Sequence, residues 1–198
     1  MHPSEAEWLK RAQQGDMESF SRLVEIYNRS IFNLCYRMLG NANDAEDAAQ
    51  EAFIRAFKAI HRYDPTRKFS TWLMSIASNY CIDQHRRKKL PSFSMDSMEE
   101  PNFGDNSPSL EGQIMNGEKS EEVMQLLEHL KPKDKSAIIM RYWYDYSYEE
   151  ISEVLSITTS AVKSRLHRAR NQLADVFIEL KQADLISIER NEYDDAII

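Results

Sequence analysis

The chain has 198 residues and a net charge of -7 at pH 7, from 25 Lys and Arg side chains against 32 Asp and Glu. It contains no apolar run of about 20 residues and no signal-peptide pattern, so we expect a cytoplasmic protein that does not span a membrane. Its two cysteines stand singly, without a CxxC pair or a His/Cys cluster at metal-ligand spacing. We therefore expect buried free thiols, no metal site and no cofactor.

Two helices are predicted at the beginning of the chain. The first covers residues 4–14 and ends at Gly15, and the second covers residues 16–39 and ends at Gly40. Glycine is the residue that most often follows the last turn of a helix. The apolar residues of the second helix recur every three or four positions, which predicts ordinary packing in a helical core.

A third helix is predicted over residues 44–62, with one alanine-rich face and one polar face. Ile54 lies in the middle of the polar face, so its side chain should be exposed. An isolated exposed Ile is common and often has no function. The alternative is a protein interface with an apolar centre and a charged rim. The residues of this face are Asp47, Gln50, Glu51, Ile54 and Lys58.

The segment 68–89 follows a loop, residues 63–67, and combines aromatic with basic residues. A loop with Lys68 and Phe69, followed by a helix with amide, hydroxyl and guanidinium groups on one face, suits a single strand with a base turned outward. Phe69 and Trp72 could equally be core residues. The basic run 85–89 at the end of this helix is interpreted as a phosphate-contacting end.

Residues 91–118 are rich in Pro, Ser, Gly and Asn and carry six acidic and no basic residues. This composition indicates a flexible acidic linker. We therefore predict an all-α protein of two small helical domains, residues 1–90 and 119–181, followed by an acidic tail, residues 182–198. The tail could be disordered or could shield a basic face of the second domain. The acidic net charge lies mainly in the linker and the tail, which leaves local basic faces free for DNA.

The second domain contains the pattern of a helix-turn-helix, YEEISEVLSITTSAVKSRLHRARNQL, from Tyr148 to Leu173. Ser147 and Glu150 form a capping box for its first helix, and residues 158–160 offer N-cap oxygens for its second. Val162, Leu166, Ala169 and Leu173 share one stripe of the second helix, and the polar and basic residues share the opposite stripe. One stripe can pack on the first helix while the other lies in a major groove.

Residues 16–180 resemble the RNA polymerase sigma factors of the extracytoplasmic-function class. The string LCYRMLGNANDAEDAAQEAFIRAF is similar to the first parts of conserved region two, and KFSTWLMSIASNYCIDQHRRKK to its melting and recognition parts. The string YSYEEISEVLSITTSAVKSRLHRAR is similar to region four. Three such strings in this order are far more specific than any one of them alone.

The resemblance implies a function for each of the three surfaces. The face around Ile54 would bind core RNA polymerase at the clamp, while the polymerase flap would hold the second domain. The loop 63–70 and the following helix would capture a flipped base of the non-template strand at the minus-ten element. The implied minus-ten residues are Lys68, Phe69, Trp72, Ser75, Asn79, Arg86 and Arg87. The implied residues for the duplex minus-thirty-five element are Ser160, Lys163, Ser164, His167, Arg168 and Arg170.

The sequence departs from the class at the start of the recognition helix, where Ser160 and Ala161 replace a common Gly-Thr pair. We predict an alternative sigma factor that is not an enzyme, that takes no small-molecule substrate and that is restrained by an anti-sigma factor, one often found at the membrane. A helix-turn-helix regulator that is not a polymerase subunit is the alternative. A strand-cutting recombinase would need a Ser or Tyr nucleophile with clustered Arg, or an acidic metal site, and no such set stands out in the sequence.

Overall fold

The computed structural model describes the backbone of residues 3–89 and 117–195, and within these ranges it is helical without any β-strand. This confirms the all-α prediction. The elements are α1 Pro3–Gln13, α2 Met17–Leu39, α3 Ala42–Ala59, a 3-10 turn Ile60–Arg62, α4 Phe69–Lys89, α5 Gly117–Glu128, α6 Pro132–Trp143, α7 Tyr148–Leu155 and α8 Thr159–Asp195. We call the part up to Lys89 the first unit and the part from Gly117 the second unit.

The ends of the first helices are set by the residues that the sequence indicated. Asp16 caps α2 by accepting a hydrogen bond from the Glu18 amide at 3.1 Å, and Asn41 caps α3. Gly15 and Gly40 both have positive φ, 92° and 88°, which is the left-handed conformation that ends a helix. These contacts confirm the predicted breaks at both glycines.

In the first unit, α2 packs against α3 and α4. The inner face of α3 is mostly alanine, which lets its backbone approach α2 closely. Cys35 and Cys81 are both buried free thiols, as predicted, and the hydrogen bond between them together with burial raises the pKa of Cys35. The predicted third helix is shorter than expected, since the regular helix ends at Ala59 and continues as the 3-10 turn.

In the second unit, α7 and α8 form the helix-turn-helix and pack against α6. The capping box of Ser147 and Glu150 is present on α7. The turn contains Ser156 in the left-handed conformation, with φ of 52°. Val162, Leu166 and Ala169 are buried on the inner face of α8, which confirms the predicted stripe.

The predicted linker and tail are described only in part. Residues 90–116 lie outside the described residues, and the helical backbone already begins at Gly117, inside the predicted linker 91–118. The backbone of α8 continues without a break to Asp195, so the acidic tail is helical up to this residue instead of disordered. Among the described residues, no helix is both long and apolar enough to cross a bilayer.

Candidate functional site

The outer face of α3 has the arrangement predicted for a protein interface. Ile54 is 48% exposed, which confirms the expected position of its side chain. Asp47, Gln50 and Lys58 around it are also exposed. Glu51 is half-buried and forms an ion pair of 2.7 Å with Arg55, one turn further along the helix. The face therefore has an apolar centre within a rim of mixed charge.

The loop between α3 and α4 is held in one conformation by its own residues. The Tyr63 hydroxyl donates to the Arg67 carbonyl, which closes the loop. Gln13 of α1 donates to the Tyr63 carbonyl at 2.8 Å. The Asp64 side chain accepts from the Thr66 amide at 2.9 Å, which makes a local turn. This loop presents Arg67 and Lys68 at the surface.

Phe69 is a core residue, and its predicted contact with DNA is wrong for this conformation. Its side chain is only 2% exposed and its ring packs edge-on against Tyr27 and Tyr63, with centroid distances of 5.4 Å to each. A ring enclosed in this way has no face left for a base. Trp72 is half-buried at the border of this aromatic cluster, and its ring centroid lies 5.2 Å from that of Tyr63. Between the two aromatic residues, only Trp72 can reach a base without rearrangement.

The remaining part of α4 presents polar side chains towards its C-terminus. Asn79, Arg86 and Arg87 are exposed, and Ser75 is half-buried with its hydroxyl donating to the Trp72 carbonyl at 2.6 Å. His85 does not contribute to a phosphate-contacting end, because its ring nitrogen lies 2.7 Å from the Met38 carbonyl at the end of α2. It connects two helices instead.

The recognition face of α8 is open to solvent. Thr158 caps the helix by accepting from the Ala161 amide at 3.2 Å. The six residues predicted to meet duplex DNA are all exposed: Ser160, Lys163, Ser164, His167, Arg168 and Arg170. Their common exposure leaves them available to a major groove.

Asp134 anchors the recognition helix from behind. This carboxylate is almost fully buried at the start of α6 and lies 2.6 Å from the Arg165 guanidinium and 3.9 Å from that of Arg168. Arg165 belongs to the basic run of α8, but its side chain turns inward and is only 24% exposed. Sequence reasoning missed this pair because an acid near a helix start is usually a surface residue.

Asp134→Ala should lower the free energy of unfolding by about 2–4 kcal/mol, because it leaves the partly buried Arg165 without its counter-charge. Urea unfolding of the whole chain measures this effect. Asp83→Ala is the matched control, since it removes an exposed ion pair with Arg86 and should change stability by less than about 0.5 kcal/mol. Equal losses in the two variants would contradict the anchoring role.

The two units contact each other through residues of the loop before α4 and of α7. The Lys68 ammonium lies 2.7 Å from the Glu150 carboxylate, and the Arg67 guanidinium lies 4.0 Å from that of Glu153. The hydrogen bond from Lys68 lowers the pKa of Glu150. A shallow cleft lies beside these pairs, lined by Arg67 and by residues of α7 and of the turn that follows it.

Further contacts between the units are buried. The hydroxyl oxygens of Ser78 on α4 and Ser136 on α6 are 2.7 Å apart, and both residues are fully buried. The Tyr144 hydroxyl donates to the Ser30 carbonyl of α2 at 2.6 Å. The Tyr146 hydroxyl is buried beside Thr71, and desolvation raises the pKa of Tyr146. The cores of the two units are therefore continuous.

No group of three or more His, Cys, Asp or Glu side chains suited to a metal ion occurs in the described ranges. The exposed groups are arranged for binding: an apolar centre on α3, amide and cationic groups on α4, and hydroxyl and cationic groups on α8. Three separate faces on one chain are suited to three different contacts.

The family model described as Sigma-70 region 2 matches residues 23–90, and that described as Sigma-70, region 4 matches residues 120–173. The first includes α3 and α4, and the second includes the helix-turn-helix. The ECF RNA polymerase sigma factor SigW of Bacillus subtilis is 40% identical over 173 residues, which are 83% of this chain and 92% of the relative.

Two solved structures show the same fold at low sequence identity. CnrH, in complex with the cytosolic domain of CnrY, has a TM-score of 0.66 at 21% identity and covers 89% of this chain and 98% of its own. The sigma factor RpoE of Bartonella quintana, in complex with the anti-sigma factor NepR, has a TM-score of 0.59 at 19% identity over 81% and 98%. From its two matching regions and from its identity to SigW, the chain belongs to the ECF family of RNA polymerase sigma factors.

Proposed function

We propose that this sigma factor brings core RNA polymerase to promoters with two separate recognition elements and helps to open the DNA at one of them. The observation that carries the proposal is the exposed recognition face of α8, on the same chain as the apolar-centred face of α3. A DNA-binding regulator needs the first face, whereas a polymerase subunit needs both. Co-purification with core polymerase distinguishes the two functions.

The face of α3 is proposed to bind the polymerase clamp. Ile54 supplies an apolar centre that becomes buried on binding, and the surrounding polar residues supply orientation. The rim residues in this proposal are Asp47, Gln50, Glu51 and Lys58. The second unit is proposed to contact the polymerase flap, so that the polymerase holds both ends of the chain.

The surface of α4 and of the loop before it is proposed to hold the non-template strand of the minus-ten element. Extrusion of a base costs a few kcal/mol of stacking, which contacts in a pocket and to phosphates can offset without covalent chemistry. The chain therefore needs no catalytic group of its own for this step. Trp72 and Asn79 are proposed to meet bases, and Lys68, Ser75, Arg86 and Arg87 to meet bases or phosphates.

The exposed face of α8 is proposed to read the duplex minus-thirty-five element. Lys163 and Arg168 can donate to the O6 and N7 acceptors of guanine. Ser160, Ser164, His167 and Arg170 can donate to phosphates or base edges. Ser160 stands one residue before the usual threonine position and is proposed to replace its phosphate contact.

Asn79→Ala should slow promoter opening about five- to tenfold while leaving polymerase affinity unchanged, because one exposed base contact is lost. The chemical reactivity of unpaired thymines in the promoter, followed over time, measures the rate of promoter opening. Asn28→Ala is the control, because Asn28 on α2 is also exposed. The promoter should open at the original rate with this variant. If both variants open DNA at that rate, Asn79 does not read a base.

An anti-sigma factor is proposed as a further partner. The related fold of RpoE was solved with the anti-sigma factor NepR, which supports a partner of this class. A cytoplasmic location is proposed as well, since the chain would have to meet both the polymerase and DNA.

A further inference from the structure

The turn that leads from α3 into the loop 63–67, which we call the minus-ten loop, is held by a side chain of another helix. The Gln13 carboxamide at the end of α1 donates to the Tyr63 carbonyl at 2.8 Å and to the Ile60 carbonyl at 3.2 Å. Both carbonyls lie at the end of the 3-10 turn, where the helical hydrogen-bond pattern stops. A carboxamide carries two N–H donors, so it can serve two carbonyls at once. Gln13 therefore caps this turn from outside.

Tyr63 connects Gln13 with the groups that are proposed to meet DNA. The Tyr63 hydroxyl donates to the Arg67 carbonyl and closes the minus-ten loop. The centroid of its ring lies 5.2 Å from that of Trp72, the aromatic residue that can reach a base. Gln13 thus holds the backbone of Tyr63, while the ring and the hydroxyl of Tyr63 hold Trp72 and the loop.

The Gln13 carboxamide has a fixed position because both ends of α1 are joined to α2. Near the start of α1, the Glu5 carboxylate accepts a hydrogen bond of 2.8 Å from the Tyr27 hydroxyl of α2. At the other end, the Arg11 guanidinium forms an ion pair of 2.7 Å with Asp16, the N-cap residue of α2. The two helices also pack against each other. The donor of both hydrogen bonds is therefore supported by a packed helix.

Gln13 lies outside every surface that is assigned to polymerase or DNA. The match to Sigma-70 region 2 begins at residue 23, after α1 has ended, and the Gln13 side chain is half-buried. A group that contacts no ligand can still affect binding, because a loop already held in its bound conformation loses less conformational freedom when the ligand arrives. Loss of the two hydrogen bonds should therefore weaken the capture of a base without removing any contact to DNA.

We propose that Gln13 is a positioning residue for base capture: through its two hydrogen bonds, α1 keeps the minus-ten loop and Trp72 in the conformation that receives an extruded base. The inference rests on the proposed function of this loop. Binding of core polymerase and of the duplex minus-thirty-five element uses α3 and α8, so neither should depend on Gln13. The first helix of the chain therefore acts in promoter opening and not in attachment to polymerase.

Gln13→Glu tests the proposal with almost no change in side-chain shape. At neutral pH the new carboxylate cannot donate, and it faces the two carbonyl oxygens as a further acceptor. With core polymerase and the full chain, promoter opening should slow about five- to tenfold, while the affinity for core polymerase stays unchanged. Gln14→Glu is the matched control, because Gln14 is the adjacent residue, is exposed and undergoes the same change in charge. The promoter should open at the original rate with this control.

A scan of abasic sites distinguishes positioning from a general loss of structure. Polymerase with the unaltered chain or with Gln13→Glu is bound to forked promoter DNA whose non-template strand lacks one base at a time. At the captured position, the difference in affinity between the two chains should shrink from about fivefold to less than about twofold, because the loop has no base to hold. At the other positions the full difference should remain.

Two results would overturn the inference. One is an equal opening rate with Gln13→Glu and Gln14→Glu, and the other is a difference between the chains that persists at every abasic position. Gln13→Ala adds no charge and repeats the comparison if Gln13→Glu lowers the urea midpoint of unfolding more than the control does. Failure of the proposed function gives a different result, because binding by the unaltered chain would then depend on no single base of the minus-ten element.

Discussion

Replacing Lys163 and Arg168 together by alanine is expected to weaken binding of the polymerase complex to promoter duplex by roughly a hundredfold or more. Each side chain is exposed on the recognition face of α8, and each good contact to a guanine edge is worth about 1–3 kcal/mol. The fold should change little, because neither side chain is part of the buried stripe and Arg165 remains the close partner of the Asp134 carboxylate. Competition binding with labelled promoter duplex measures the loss.

Lys10→Ala/Arg29→Ala is the control for this prediction. Both residues are exposed cations of the first unit, so the variant loses the same charge at a distance from α8. Its affinity should fall far less. If the α8 variant loses the same factor on every duplex sequence, Lys163 and Arg168 contact phosphates and do not read bases.

Glu51→Lys/Ile54→Asp should abolish binding to core polymerase, with a loss of at least about a hundredfold. The change puts a charge at the apolar centre of the α3 face and reverses a charge at its rim. Both residues are at least partly exposed, so the free energy of unfolding should change little. Titration of core polymerase with labelled chain measures the affinity.

The chain contains a closely matched control on α2. Ile26 is 48% exposed, as Ile54 is, and Glu25 forms an exposed helical ion pair with Arg22, as Glu51 does with Arg55. Glu25→Lys/Ile26→Asp therefore makes the same chemical change on another face. Full polymerase affinity in this control together with loss in the α3 variant supports the interface. If the α3 variant keeps its polymerase affinity while the α2 control loses it, the α3 face does not bind polymerase.

Local chemistry made several parts of the fold predictable from the sequence. Gly15 and Gly40 end helices because glycine adopts positive φ without a clash, and Ser147 begins α7 because its hydroxyl can accept an amide hydrogen bond. The exposed position of Ile54 followed from the helical period alone. These features depend on neighbouring residues, which are close in the sequence as well as in space.

Features that depend on distant residues were not predictable in this way. Ser78 is a polar residue of α4, and it is buried because α6 covers it, with the Ser136 hydroxyl oxygen 2.7 Å away. The sequence allowed Phe69 to be either a core residue or a base contact. It is buried because its ring packs against Tyr27, which is far away in the sequence. Asp134 gained its role only through Arg165 on another helix. The burial of these residues and the ion pair depend on tertiary contacts, which no local sequence pattern predicts.

This chain is proposed to direct core polymerase to a two-part promoter. Transcription by purified core polymerase on a library of randomised upstream sequences, with and without the chain, tests it most directly. We expect enrichment of templates that share two blocks of sequence. Lys163→Ala/Arg168→Ala should weaken the enrichment of the upstream block, and Asn79→Ala should weaken the enrichment of the downstream block. Enrichment of no sequence, in the presence of chain that is shown to be folded, would contradict the account.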